Sequence, residues 1–182
     1  MKKAVIIYWS NTGNTQKVAQ RIFKGLIDAG YETQIKKINE PLDNAGELDY
    51  FDYDLVCFGS PSYSWHVPKP VDDYLKSKFA QHKKEKLIKL GAPLVPGKKV
   101  LIFCTYSGPH TGVNEAIPAV KYIGQFFEHI GFRVVDELYV LSEFIGSKEN
   151  STLGRMGDIT GRPNESDLKQ IETRVCNLAL RF

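Results

Sequence analysis

Several features that would settle the class of a protein at once are missing from this 182-residue chain. No apolar run approaches the roughly 20 residues that span a bilayer. The run after Met1-Lys2-Lys3 stops at Trp9, too short for a secretion-signal core, so a cytoplasmic protein without membrane insertion is expected. Cysteine is scarce: Cys57, Cys104 and Cys176 are odd in number, widely spaced and outside any CxxC pattern. That supports neither a disulfide framework nor a zinc or iron–sulfur site; they read as reduced, mostly buried thiols. Neither a GxxxxGK[ST] loop nor a GxGxxG turn occurs.

A strong charge of either sign is also lacking, the net being +3, but the charges are uneven. Six acids and no base fall between Glu40 and Asp54, whereas Lys76 to Lys99 holds eight Lys against Glu85 alone. These read as two solvated faces, with a dipole able to orient a partner. The basic stretch has little aromatic interleaving, which argues against nucleic acid. There is no internal repeat, linker or low-complexity segment, and 42% hydrophobic with 25% charged residues is ordinary for one folded domain over 1–182.

What is present begins with Ile6-Ile7-Tyr8-Trp9-Ser10-Asn11-Thr12-Gly13-Asn14-Thr15, an apolar strand that ends in hydroxyls, amides and a glycine, followed at once by an amphipathic helix. Ser10, Thr12 and Thr15 can donate O–H, Gly13 allows a tight turn, and the free N–H groups of the helix start point into the same hollow. That is an anion cradle. It contains no Lys or Arg, the first base being Lys17, so it suits a cofactor phosphate held permanently better than one being transferred. A phospho-acceptor receiver domain would need an acidic pair after this strand, and Trp9-Ser10-Asn11 supplies none.

Short apolar runs recur at Ala4–Tyr8, Leu55–Gly59 and Val100–Cys104 and read as buried parallel strands. Alternation through Tyr31, Thr33 and Ile35 predicts a half-exposed edge strand, and 132–140 a fifth strand. Helical spacing predicts four helices: one burying Val18, Ile22, Phe23 and Leu26, one carrying Val71, Tyr74, Leu75 and Phe79, one with Val120, Ile123, Phe127 and Ile130, and a last with Leu168, Ile171, Val175 and Leu178. The pattern is α/β: a doubly wound, five-stranded parallel sheet of order 2-1-3-4-5. Ligands bind such sheets at the carboxyl ends of the strands, which puts the loops after Tyr8, Gly59 and Cys104 on one rim.

The second of these loops, Gly59-Ser60-Pro61-Ser62-Tyr63-Ser64-Trp65-His66-Val67-Pro68, offers rings to stack on a flat cofactor; Tyr63 and Trp65 are the candidates. In the third, Thr105-Tyr106-Ser107-Gly108-Pro109-His110-Thr111-Gly112, hydroxyls and backbone N–H groups can stabilise negative charge on that cofactor. His110 is a candidate proton donor, although a lone loop histidine is more often a surface residue. Further on, 154–164 reads as an ordered connector with Asn164 as helix N-cap, Asp167 at the third helical position and loop carbonyls held by Arg155 or Arg162; a lid or a dimer contact is the second reading.

Ser10-Asn11-Thr12-Gly13-Asn14-Thr15 resembles the [Thr/Ser]-x-Thr-Gly-x-Thr loop with which flavodoxins hold the phosphate of FMN. The second loop, Gly-Ser-Pro-x-Tyr followed by a Pro and Tyr74-Leu75, is more similar to flavodoxin-like NAD(P)H-dependent FMN and quinone reductases. Gly154 to Asn164 resembles a GDIxGRPN stretch of some flavodoxin-like proteins. The resemblance implies a flavodoxin-like fold and noncovalent FMN, with its phosphate on Ser10 to Thr15. Its ring would lie among Pro61, Ser62, Tyr63, Ser64, Trp65, Thr105, Tyr106, Ser107, Gly108, His110 and Gly112. It implies electron transfer to a redox partner protein or a small-molecule quinone, or, as the alternative, an NAD(P)H-dependent quinone or flavin reductase. Typical flavodoxins carry a second-loop glycine whose peptide turns to accept a hydrogen bond from N5–H of the one-electron-reduced flavin; residues 60–68 contain none.

Overall fold

The computed structural model describes residues 1–39 and 48–182. Its strands lie where the apolar runs sit: β1 (Lys3–Tyr8), β2 (Glu32–Lys37), β3 (Leu55–Pro61), β4 (Lys99–Tyr106) and β5 (Arg133–Leu141). They form one parallel sheet in the order β2-β1-β3-β4-β5. The helices of the described residues are α1 (Asn14–Asp28), α2 (Lys69–Lys84), α3 (Ile117–His129), α4 (Lys148–Thr152) and α5 (Glu165–Ala179). Four match the helical spacing. The fifth, α4, is a single short turn started by Ser147, whose Oγ accepts from Asn150 N at 3.3 Å, and it has too few residues to show a period.

Side chains alternate across the pleat, so each central strand feeds two cores. Val5, Ile7, Val56, Phe58, Val100 and Ile102 pack with α2 and α3 on one face. Ala4, Ile6, Leu55, Cys57, Leu101 and Phe103 pack with α1 and α5 on the other. Burying both faces is why these strands read as unbroken apolar runs. Gly59 is required by this packing, since a Cβ there would stand 2.0 Å from the Phe103 ring. Cys57 and Cys104 are buried, and desolvation raises both thiols well above their ordinary range, which makes them unreactive core groups. The edge strand β2 is more exposed than its alternation implies: Ile35 is 38% accessible, with a neighbouring strand on one side alone among the described residues.

The basic run is not simply a solvated face. Lys78 is fully buried on the inner side of α2, where its Nζ donates to Leu48 O at 2.8 Å and to Gln81 Oε1 at 3.3 Å and lies 5.5 Å from the centroid of the Tyr50 ring. Its long stem fills apolar space while the ammonium finds carbonyl oxygens, which is how an expected surface lysine comes to be inside. Of the acidic run, 40–47 lies outside the described residues.

One turn after Lys78, His82 is buried among the rings of Tyr50, Phe51 and Phe126, and its Nδ1 has no hydrogen-bond partner among the described residues. Burial lowers its pKa first and Lys78 lowers it further, while Glu85 and Asp49 oppose more weakly. In the unfolded chain the imidazole returns to about 6.5 and takes up a proton that the folded state refuses. Stability is therefore intact above about pH 6.5 and falls as pH drops toward the lowered folded pKa. The urea midpoint is expected to fall between neutral pH and about 5.5, and His82→Phe to flatten that fall. An unchanged pH profile in the variant would assign the dependence to other groups.

Candidate functional site

Parallel registry brings the carboxyl ends of four strands together: Tyr8 pairs with Gly59, Pro61 with Thr105 and Tyr106 with Leu141. The loops that leave these ends enclose a cavity of about 470 Å³. Its lining includes Ser10, Asn11, Thr12, Asn14 and Thr15 from the first loop, Pro61 to Ser64 from the second and Thr105 to Ser107 from the third. Ser142, Glu143, Phe144 and Ile145, directly after β5, complete it. Sequence reasoning missed this fourth segment. The rule that ligands sit at the carboxyl edge applies to the strand end after Val140 as much as to the other three.

The first loop presents neutral polar groups to the cavity. Gly13 takes φ +97° as the N-cap of α1 and supplies no side-chain cap, and the first turn of α1 holds no acid. The leading N–H groups of α1 therefore lack side-chain acceptors among the described residues. Ser10 is buried and its Oγ accepts from Gly13 N at 3.1 Å, which closes the loop. Thr15 and Thr105 share a buried hydroxyl pair at 2.8 Å that joins the first loop to the third. Asn14 donates through Nδ2 to Glu143 O at 3.1 Å, while its buried Oδ1 has no partner among the described residues. Among the described residues no Lys or Arg lines the cavity, and the charged group that does, Glu143, turns Oε2 to accept from Gly161 N at 2.8 Å. A phosphate held by neutral donors fits this set.

The second loop turns back tightly: Tyr63 N donates to His66 O at 2.8 Å and His66 N to Tyr63 O at 3.0 Å. Between them Ser64 and Trp65 have φ of 48° and 66°, left-handed values held by two residues that carry a Cβ. Such strain concentrates at binding sites. Tyr63 lines the cavity and meets Trp9 edge-on, with ring centroids 5.9 Å apart. Trp65, 60% exposed, lies outside the lining. Ser62 fixes the base of the loop through a hydrogen bond from its Oγ to Glu115 O.

In the third loop Tyr106 lines the cavity, and burial raises its phenol above the ordinary value, so that it stays a neutral hydroxyl. Gly108, His110 and Gly112 stand outside the lining. The two glycines pack on each other, a Cβ on Gly108 coming within 2.9 Å of Gly112 Cα, and His110 is exposed.

The 154–164 segment is an ordered connector that clamps the rim. Arg155 N donates to Pro109 O at 2.7 Å, and Glu143 N to Arg162 O at 2.9 Å. Asn164 and Asp167 form the expected capping box on α5. Arg162, expected to hold loop carbonyls, instead grips the Asp167 carboxylate at 3.0 and 2.5 Å, a planar fork-to-carboxylate fit that carbonyls cannot match.

A family profile described as Flavodoxin matches residues 6–171. The chain belongs to the flavodoxin family. As a flavodoxin-family member it is an FMN-binding redox protein. It is 24% identical to an NAD(P)H dehydrogenase (quinone) of Archaeoglobus fulgidus, with 98% of each chain covered. Among solved structures, Flavodoxin 2 from Bacillus cereus superposes with a TM-score of 0.65 at 20% identity over 99% of both chains. The flavodiiron core of Flv1 from Synechocystis superposes at 0.62 with 19% identity, and there the flavodoxin-family chain spans 36% of the larger protein. Among its described residues no helix is long and apolar enough to cross a membrane, and no cluster of side chains is suited to a metal ion.

Proposed function

We propose that the protein transfers electrons through FMN held at the carboxyl rim, to a redox partner protein or a small-molecule quinone. FMN supplies reversible electron transfer; the chain supplies the binding, orientation and shielding. The carrying observation is the neutral phosphate cradle: Ser10, Thr12 and Thr15 with the uncapped start of α1 satisfy a terminal phosphate. Pro61 to Ser64 and Thr105 to Ser107, which line the same cavity, would hold the ring. Phe144 and Ile145 add an apolar wall that keeps water from it.

A second reading, an NAD(P)H-dependent quinone or flavin reductase, is favoured by the glycine-free second loop and by similarity to the Archaeoglobus NAD(P)H dehydrogenase (quinone) over nearly the whole chain. Anaerobic mixing of the FMN-loaded protein with NADH or NADPH separates the two. A carrier keeps its yellow colour until a reductase partner is added, whereas a reductase bleaches directly and regains colour when a quinone is supplied. Failure of the purified protein to retain FMN would overturn both.

A further inference from the structure

The loop joining α2 to β4, residues 85–98, lies at the amino ends of the strands, away from the cavity. Of the lysines in this region, Lys76 pairs with Asp72 at 2.6 Å and Lys78 is buried. Lys98 donates to Phe51 O and Tyr53 O at 2.6 and 3.0 Å, and Lys99 lies over the Phe182 ring. Lys83, Lys84, Lys86 and Lys89 are left exposed and without an ion pair among the described residues. The nearby acid in this run, Glu85, accepts from Gln81 Nε2 at 2.9 Å.

Beside these lysines stand two leucines that folding leaves in water, Leu90 at 105% and Leu94 at 67% exposure. They cannot simply fold back, because the roots of the loop are pinned. Leu87 N donates to His82 O at 2.9 Å, Val95 N to Gly131 O at 2.8 Å, and Ala92 N to Lys89 O at 3.0 Å across the tip. Leu87, Ile88 and Val95 are half-buried beneath. The result is a pinned loop with Leu90 outward, Leu94 exposed at the edge of a cleft of about 270 Å³ that the loop forms with His129 to Gly131, and lysines that have no ion pair among the described residues close by.

We propose that this tip docks the protein peripherally on an anionic lipid surface, with Leu90 and Leu94 at the acyl boundary and the four lysines among the headgroups. The charges call for an anionic partner and the leucines for one that yields to a protruding apolar tip. A bilayer surface offers both at once. An acidic protein would need a larger contact area than one loop provides. Docked in this way, the cavity faces away from the lipid, about 23 Å off along β4, so electron donors and acceptors keep access to it. The inference does not depend on which redox reading holds.

The test is sedimentation of the whole protein with phosphatidylcholine vesicles, with or without about one-third phosphatidylserine. The anionic vesicles should pellet it at least tenfold better than the neutral ones, and raising salt from about 0.1 to about 0.5 M should release it. Replacing Lys83, Lys84, Lys86 and Lys89 together by Gln should weaken binding by about a hundredfold or more. Leu90→Asp with Leu94→Asp should weaken it at least about tenfold. Leu153→Asp, an equally exposed leucine on the opposite rim, should leave it unchanged, and all variants should keep the wild-type melting midpoint. Three results would overturn the proposal: no pelleting by anionic vesicles, equal pelleting by neutral ones, or undiminished binding by the Leu90/Leu94 variant. Binding to polyglutamate without binding to vesicles would point to an acidic protein partner in its place.

Discussion

Replacing Thr12 and Thr15 together by Ala is expected to weaken FMN binding by about two to four orders of magnitude. Each lost hydrogen bond to a charged acceptor costs about 1.5–3 kcal/mol, and every 1.4 kcal/mol is tenfold. The two positions report differently. Thr12 is exposed and makes no hydrogen bond to other described residues, so Thr12→Ala reads the phosphate contact alone. Thr15 shares its hydroxyl with Thr105, so Thr15→Ala also leaves a buried hydroxyl unpaired, and Thr15→Ser should restore most of the loss. Riboflavin, which lacks the phosphate, provides the control: the wild type should bind it far less tightly than FMN, and Thr12→Ala should barely change its affinity. Titration of the stripped protein with both flavins measures all of this. Equal affinity for FMN and riboflavin would sink the cradle assignment.

The strands and their order were legible because a strand buried on both faces must be apolar throughout, and β1, β3 and β4 are. That the first loop would line the cavity was legible because small donors, a glycine and a helix start fall at one strand-to-helix junction. Less visible were features that depend on what meets what. Ser142 to Ile145 carry no motif and enter the cavity because β5 ends beside β4. Lys78 is one of eight lysines in its run, and nothing in the spacing distinguishes the one that Tyr50 and the Leu48 carbonyl receive. Nor does composition reveal that Ser64 and Trp65 sit at positive φ, since turn propensity favours glycine there.

That last pair bears on the electron count. On reduction by light without oxygen, the FMN-loaded protein is expected to pass to the fully reduced state with little one-electron-reduced flavin accumulating. The second loop reverses with positive φ at both central residues, the φ signature of a type I′ turn. Rotating the peptide between Ser64 and Trp65, so that its carbonyl could accept a hydrogen bond from flavin N5–H, converts such a turn to type II′, which has Gly at its first central position. Ser64 occupies that position. Forcing it there costs about 1–3 kcal/mol, a factor of about 5 to 150 against the one-electron state. Ser64→Gly removes the cost and should raise the accumulated one-electron state severalfold, with thermal stability little changed. Trp65→Gly relieves strain in the starting turn, favours that turn over its rotated form, and should give no such rise. Two-electron passage suits hydride transfer to a quinone better than one-electron shuttling. Near-complete accumulation of the one-electron state in the wild type would reverse the argument: the left-handed pair would then already be poised for the one-electron state, and the protein would act as an electron carrier with a differently built second loop.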